Sequence, residues 1–280
     1  MCPLPDMQYS IRNTQYDIEK IRNALKANVF AGRSLQGKHV TAIYASDLMS
    51  DVLAYGKAGS LLLTGLNTVQ AAVSAYVAEF KGIVLLRSKK PDKDLLTFAK
   101  EKHLIILSTD DDMYEACVKI ANIKGDAPVI EDTEEQSKKD LNVTTHSFAI
   151  DGQDFASAGM VSTQVKSILK SIGYDPLLIR RVAISTYEAE MNVVMHAKRA
   201  NVILTASDKE INVIINDEGK GIENIELAMT EGYSTATEEQ RALGFGAGMG
   251  LPNIKKNSDK MKIESKVNKG TLIETIFYVK

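Results

Sequence analysis

YEAEMNVVMHA, residues 187–197, followed shortly by NVILTASDKEINVIINDEGKGI, residues 201–222, decides the fold of the C-terminal half. In the first stretch Glu188, Asn192 and His196 recur every four residues, so an α-helix places them on one face. Met191, Val194 and Met195 point in other directions and pack inward. The second stretch reads as two strands rich in β-branched residues, joined by a turn at residues 207–209 and ending in Asp217, Gly219 and Gly221.

A carboxylate one helical turn from an amide suits the handling of Mg-ATP. The amide oxygen can coordinate Mg2+ while the carboxylate takes a proton from an attacking hydroxyl or water. Glu188 is therefore the candidate base and Asn192 the candidate Mg2+ ligand; by itself, the same stripe is also what a solvated face of an amphipathic helix gives. Glu190 is the second-ranked base, because two residues along a helix turns it away from Glu188's face, and His196 is assigned a structural role near the helix end. Asp217 can accept a hydrogen bond from an exocyclic amine such as adenine's, and Gly219 and Gly221 let the backbone turn sharply beside a ring, although Asp-x-Gly-x-Gly is also an ordinary turn.

Working outward, ELAMTEGYSTATEEQRALGFGAGMGLPNIKKN (226–257) carries Gly244, Gly246, Gly248 and Gly250 at alternate positions before a helix predicted over 251–257. Backbone N–H groups there, with the helix N-terminus, can cradle phosphate. The polar approach over 231–243 reads as a lid, from which Arg241 would reach a γ-phosphate on closure. MKIESKVNKGTLIETIFYVK (261–280) is a hairpin turned at 268–270, with Thr271 either touching a nucleotide or pairing within its strand.

These motifs, in this order, resemble the N box and glycine boxes of the GHKL ATPase superfamily, over roughly residues 143–280. Within that superfamily DEGKGI (217–222), EGYST (231–235) and GAGMGLPNIKKNSDKMKIES (246–265) are similar to the anti-sigma-factor serine kinases and the switch kinases of bacterial stress signalling. The resemblance implies a C-terminal GHKL-type α/β sandwich with a mixed sheet. It implies Glu188 as base, Asn192 on Mg2+, Asp217 on adenine, and Gly219, Gly221, Gly246, Gly248 and Gly250 around the nucleotide. It also implies transfer of the ATP γ-phosphate to a regulatory partner carrying an acceptor Ser or Thr. The alternative is an ATP-gated binding module whose lid orders a protein interface without phosphotransfer. His146 lies in the strand-like VTTHSFAI (143–150), which argues against a phosphoacceptor histidine, and the chain's end at Lys280 leaves no transducer domain of the gyrase or MutL kind.

The first half has a different grammar. VTAIYA (40–45), SLLLT (60–64), GIVLLR (82–87) and LIILS (104–108) alternate with helices predicted from about residues 48, 68, 92 and 113, after a helix over 14–27. That alternation predicts an N-terminal parallel-sheet α/β domain, so the expected fold class is α/β and α+β. The block resembles the DRTGG domain family, most closely over 46–70, although the literal DRTGG string is absent. Ser46, Asp47, residues 64–67 and residues 108–110 fall where strands end and helices begin, as candidate N-caps. Arg87, Lys89 and Lys90 emerge at the same edge, where a small anionic effector would sit. The domain is expected to sense such an effector or to drive homodimerisation.

Residues 32–39, GRSLQGKH, nearly spell a P-loop, but His39 replaces the Ser or Thr that would hold Mg2+ and a strand follows instead of a helix. The expected organisation is a regulatory domain over 1–122, a polar linker over 123–142 and the ATP-binding domain over 143–280. With 44% hydrophobic and 25% charged residues both halves can bury a core, and a net charge of −2 offers no basic field for nucleic acid. Cys2 and Cys117 are too few for a disulfide framework, with Cys117 expected buried on a helix. No signal sequence or membrane-spanning run is read, so the expected location is cytoplasmic.

Overall fold

The computed structural model describes residues 15–32, 34–123, 143–238, 241 and 246–280. The linker beyond residue 123, Cys2, Gly244 and, within the expected lid, residues 239–240 and 242–243 lie outside the described residues.

Strand β1 (Tyr16–Asp17) pairs antiparallel with β3 (His39–Val40) beside helix α1 (Ile18–Ala24). That helix starts later than the sequence suggests because Asp17 is its cap, accepting from the amides of Glu19 and Lys20. Five further strands form the N-terminal sheet in the order β2 (Asn28–Ala31), β7 (Ile105–Ser108), β6 (Gly82–Leu85), β5 (Leu61–Thr64) and β4 (Ile43–Ala45). Strands β4 to β7 run parallel as expected, whereas β2 adds an antiparallel edge. Both faces are covered. Leu62, Ile83 and Ile106 pack on the side of α2 (Met49–Tyr55), α3 (Val69–Val77) and α4 (Lys93–Glu101), while Leu61, Leu63, Val84 and Leu107 join α1 and α5 (Met113–Ala121). Cys117 on α5 is a partly buried free thiol rather than a fully buried one.

The caps differ in detail from the sequence reading. Thr68, Asp92 and Asp112 cap α3, α4 and α5, the last in a capping box with Glu115. Helix α2 starts without a side-chain cap, because Asp47 turns away to accept from Thr64 Oγ1 and the Gly65 amide. The near-P-loop opens no helix: Gly37 has a positive φ in a turn that feeds β3.

The C-terminal half comprises β8 (Thr144–Asp151), α6 (Met160–Ile172), α7 (Pro176–His196), β9 (Ala197–Ala206), β10 (Glu210–Gly219), the short α8 (Ile225–Ala228), α9 (Gly250–Asn257), β11 (Lys260–Lys266) and β12 (Gly270–Tyr278). Its sheet has the order β11-β12-β10-β9-β8. All four pairings are antiparallel, which corrects the expected mixed sheet; β9–β10 and β11–β12 are consecutive hairpins, and that connection forces antiparallel neighbours. His146 lies on β8, opposite Leu204.

Helix α7 begins where Gly173 ends α6 in a left-handed conformation and Asp175 caps the next helix ahead of Pro176 at its first turn. Residues 182–191 of α7 are buried without a break. A helix covered on every side needs two neighbours, and α7 has them: the C-terminal sheet on one side and α3 of the N-terminal half on the other. One hydrophobic cluster therefore runs from Leu62 and Ile83 through Val73 and Tyr187 to Val202 and Phe277. Polar bonds cross the same seam. Ser74 Oγ donates to Tyr187 Oη at 3.0 Å, Lys166 Nζ to the Tyr76 carbonyl at 2.7 Å, and Arg180 to the carbonyls of Gly56 at 2.6 Å and Ala78 at 3.2 Å. Among the described residues no helix is long and apolar enough to cross a membrane.

Candidate nucleotide site

The cavity opens where the C-terminal end of α7, the end of β10 and the N-terminus of α9 meet. Its volume is about 630 Å³, within the usual range of small-molecule sites. Glu188, Asn192, Asp217, Gly219, Gly221, Gly246, Gly248, Gly250 and Thr271 all line it.

Glu188 is 6% exposed. Its Oε1 accepts one hydrogen bond, from Asn253 Nδ2 at 2.6 Å. Burial pushes its carboxyl up to about 7, against the opposing pull of that bond. One turn on, Asn192 is half-buried, and its amide makes no side-chain hydrogen bond among the described residues. Gly250 faces both: a Cβ there would come within 3.3 Å of Asn192 Oδ1 and 3.6 Å of Glu188 Oε2. The missing side chain keeps the space between carboxylate, amide and helix N-terminus open.

Glu190 turns away from this cavity, as helix geometry requires. Its carboxylate accepts from the amides of Gly159, Val161 and Ser162 at 2.9, 3.0 and 2.9 Å, which closes the N-terminus of α6. Burial raises its pKa and the three amide bonds oppose that rise. His196, the last residue of α7, lines the cavity; burial first and Lys220 second lower its pKa, so the ring is neutral near pH 7.

Asp217 sits at a shift in the β9–β10 register, a bulge that re-aims its side chain from the sheet into the cavity. Its Oδ1 accepts from the Gly219 amide at 2.7 Å and the Thr271 amide at 3.1 Å, leaving Oδ2 without a hydrogen bond among the described residues. Burial raises its pKa against those two bonds. Thr271 pairs within its strand opposite Ser265, one of the two readings the sequence allowed: its amide fixes Asp217, and its hydroxyl lies 2.8 Å from Ser265 Oγ. Gly221 must be glycine where β10 crosses the last hairpin: φ is +73° and a Cβ would stand 2.4 Å from the Lys266 carbonyl.

The described legs of the lid meet where the Gly232 amide donates to the Gly248 carbonyl at 3.1 Å. Arg241 is exposed, its amide bonded to the Thr237 carbonyl. At the N-terminal strand edge the groups expected to hold an anion bond one another. Lys89 Nζ reaches the Gly65 carbonyl, Ser88 Oγ donates to Asp110 Oδ1 and Asn67 Nδ2 to the Lys90 carbonyl, which leaves Arg87 and Lys90 as exposed cations.

Sequence reading missed Asn253, and missed that Ser50 and Leu53 of α2 form part of the cavity wall. Asn253 carried a signal: it stands between Leu251 and Ile254 on the inward face of α9, where an apolar residue belongs. Ser50 and Leu53 carried none, since nothing local reports that two distant segments meet.

Residues 20–123 match the DRTGG domain, and residues 154–277 match the histidine kinase-like ATPase domain. An anti-sigma F factor from Caldanaerobacter subterraneus subsp. tengcongensis is 34% identical over 112 residues, which are 38% of this chain and 75% of that protein. The serine/threonine-protein kinase RsbT of Bacillus subtilis is 24% identical over 119 residues, 41% of this chain and 84% of that protein. A solved structure of the RsbU and RsbW domains of Rv1364c from Mycobacterium tuberculosis covers 56% of this chain and 34% of its own, at 14% identity and a TM-score of 0.35. The chain belongs to the histidine kinase-like ATPases of the anti-sigma F factor kind and carries a DRTGG domain ahead of that unit.

Proposed function

We propose that this protein is an ATP-dependent protein serine/threonine kinase that transfers the γ-phosphoryl group to a hydroxyl of a regulatory partner. The observation that carries the reading is Glu188, a buried carboxylate with a pKa of about 7 and one hydrogen-bond donor, facing open space beside Gly250. In the reaction the acceptor oxygen bonds to the γ-phosphorus, the bond from that phosphorus to the β,γ-bridging oxygen breaks, and ADP leaves. Glu188 takes the acceptor's proton. The free Oδ2 of Asp217 accepts the adenine amine. Amides of the Gly246–Gly250 stretch and the N-terminus of α9 hold phosphate oxygens. Mg2+ would be held through the unengaged Asn192 amide, neutralising charge on the phosphates.

The anti-sigma F factor and RsbT relatives support a regulatory kinase acting on a protein. In the same reading residues 1–122 form a regulatory domain joined through 123–142 to the ATP domain, and a small anionic effector meets Arg87 and Lys90. The test is transfer of labelled γ-phosphate from Mg-ATP to proteins of the native host, by wild type, Glu188→Gln and Asp217→Asn. A partner band that depends on both residues supports kinase activity. Firm ATP binding with no labelled protein favours the ATP-gated binding module instead.

A further inference from the structure

Helix α9 meets α2 of the N-terminal half through a matched pair of contacts. On α9, Asn253 and Lys256 are three residues apart and share a face; on α2, the carbonyls of Ser50 and Ala54 are four apart and share a face. Asn253 Nδ2 lies 3.3 Å from the Ser50 carbonyl, and Lys256 Nζ lies 3.1 Å from the Ala54 carbonyl and 5.0 Å over the Tyr55 ring. The two helices are pinned at both ends of the contact.

The first pin also touches the site. Asn253 has no exposed surface, and its Nδ2 donates to Glu188 Oε1 at 2.6 Å as well as to the Ser50 carbonyl. An ionised carboxylate and a carbonyl are both acceptors only, so the amide must present its nitrogen to them, and both of its hydrogens are used. The amide oxygen on the other side is buried without a partner among the described residues, as is Ser50 Oγ. An orphaned buried carbonyl is unfavourable, so the orientation is held by the nitrogen's two bonds and not by the oxygen. Gly250, three residues earlier on α9, faces Glu188 and Asn192. A displacement of α2 against α9 therefore moves the donor on Glu188 and the glycine that opens the phosphate space together.

We infer that Asn253 is a positioning residue for Glu188 and that α2 is its abutment, so the DRTGG domain sets the geometry in which the carboxylate acts. This rests on Glu188 being the base at an ATP site. Because coupling between sites is reciprocal, nucleotide binding must in turn stiffen α2.

The experiment is hydrogen–deuterium exchange on the whole chain with and without Mg2+ and a non-hydrolysable ATP analogue. It is paired with calorimetry of the analogue and basal ATP turnover, for wild type, Asn253→Leu and Lys256→Ala. In wild type the analogue should slow exchange both at residues 217–221 and at residues 49–55. Asn253→Leu should keep the first protection and lose the second, with turnover down about tenfold and analogue affinity within about threefold of wild type, a loss in the chemical step and not in binding. Lys256→Ala, on the surface and remote from the carboxylate, should show both effects more weakly in a folded protein. Protection at 217–221 with none at 49–55 in wild type would overturn the inference and leave the kinase reading standing, as would Asn253→Leu turning over at the wild-type rate. No protection in either segment would overturn the ATP site itself and this inference with it.

Discussion

Glu188 and Glu190 stand two residues apart on α7, both buried, and end in opposite surroundings: Glu190 is saturated by three backbone amides, while Glu188 receives a single side-chain donor and faces the cavity. Two carboxylates of one helix are thereby separated, one engaged at a helix start and one left facing the cavity. Glu190→Ala would strand the Gly159, Val161 and Ser162 amides at a buried helix start. The expected cost is about 3 kcal/mol or more, from several unsatisfied donors at once, read as a lowered denaturant midpoint. ATP affinity measured in the surviving folded fraction should stay near wild type, because the cavity is not touched.

Glu188 makes opposite demands on activity and stability as pH changes. Only its ionised form accepts a proton, so transfer should rise as pH passes through about 7. For stability, the folded pKa lies above the ordinary 4.5, so the folded state holds its proton over a range where the unfolded chain has released it. Glu188's contribution is therefore complete below about pH 4.5 and is lost as pH rises to about 7, by an amount on the order of 3 kcal/mol. Glu188→Gln keeps a carbonyl oxygen for Asn253 and removes the charge. It should abolish transfer, preserve ATP binding and raise the melting temperature at pH 8 relative to wild type. A variant that melts no higher at pH 8 would argue that the wild-type carboxylate is stabilised there by groups beyond Asn253.

Asp217→Asn should weaken ATP binding about tenfold or more, a loss of about 1.4 kcal/mol, because the free Oδ2 becomes either an amide donor facing the adenine amine or an amide that displaces the Gly219 and Thr271 bonds. Calorimetry with ATP and GTP separates the two consequences: discrimination between the nucleotides should shrink if base recognition is lost. Unchanged ATP affinity would remove Asp217 from the recognition of adenine.

The parts of this molecule that were legible in sequence are those dictated locally. Alternation in NVILTA and INVIIN gives strands because period two places Val202, Leu204, Val213 and Ile215 on the buried face, and spacing of four brings Glu188 and Asn192 to one wall. Glycine punctuation located the cavity because a close approach, such as Gly221 to the Lys266 carbonyl, admits nothing larger. What could not be read was set by partners distant in the chain. The two-residue ribbon of β1 and β3 has too little pattern to announce itself. Asp47 looked like a cap until the β5 end offered Thr64 and Gly65. The clearest missed clue is α3, VQAAVSAYV, apolar or small nearly all round. A helix of that kind must be covered on two sides, and its second cover is α7, which makes the seam beside the nucleotide cavity part of one core.

That shared core yields the last prediction. Arg180 of α7 donates to the Gly56 carbonyl at the end of α2 and the Ala78 carbonyl at the end of α3, so one guanidinium satisfies the C-terminal ends of two helices from the other half. Burial lowers its pKa, with the Glu79 carboxylate opposing, but an arginine stays charged throughout the working range, so its desolvation is offset by those two carbonyls and by Glu79. Arg180→Met fills much of the same volume and leaves both carbonyls without their donor, which should cost about 2 to 4 kcal/mol. The readout that separates this from an ordinary core defect is cooperativity. If the halves are one folding unit, the variant should unfold in a single transition at a lower midpoint, with probes in both halves moving together. Two separated transitions in Arg180→Met would mean that the arginine is what fuses them; two in wild type would mean that the seam buries too little to couple the halves at all.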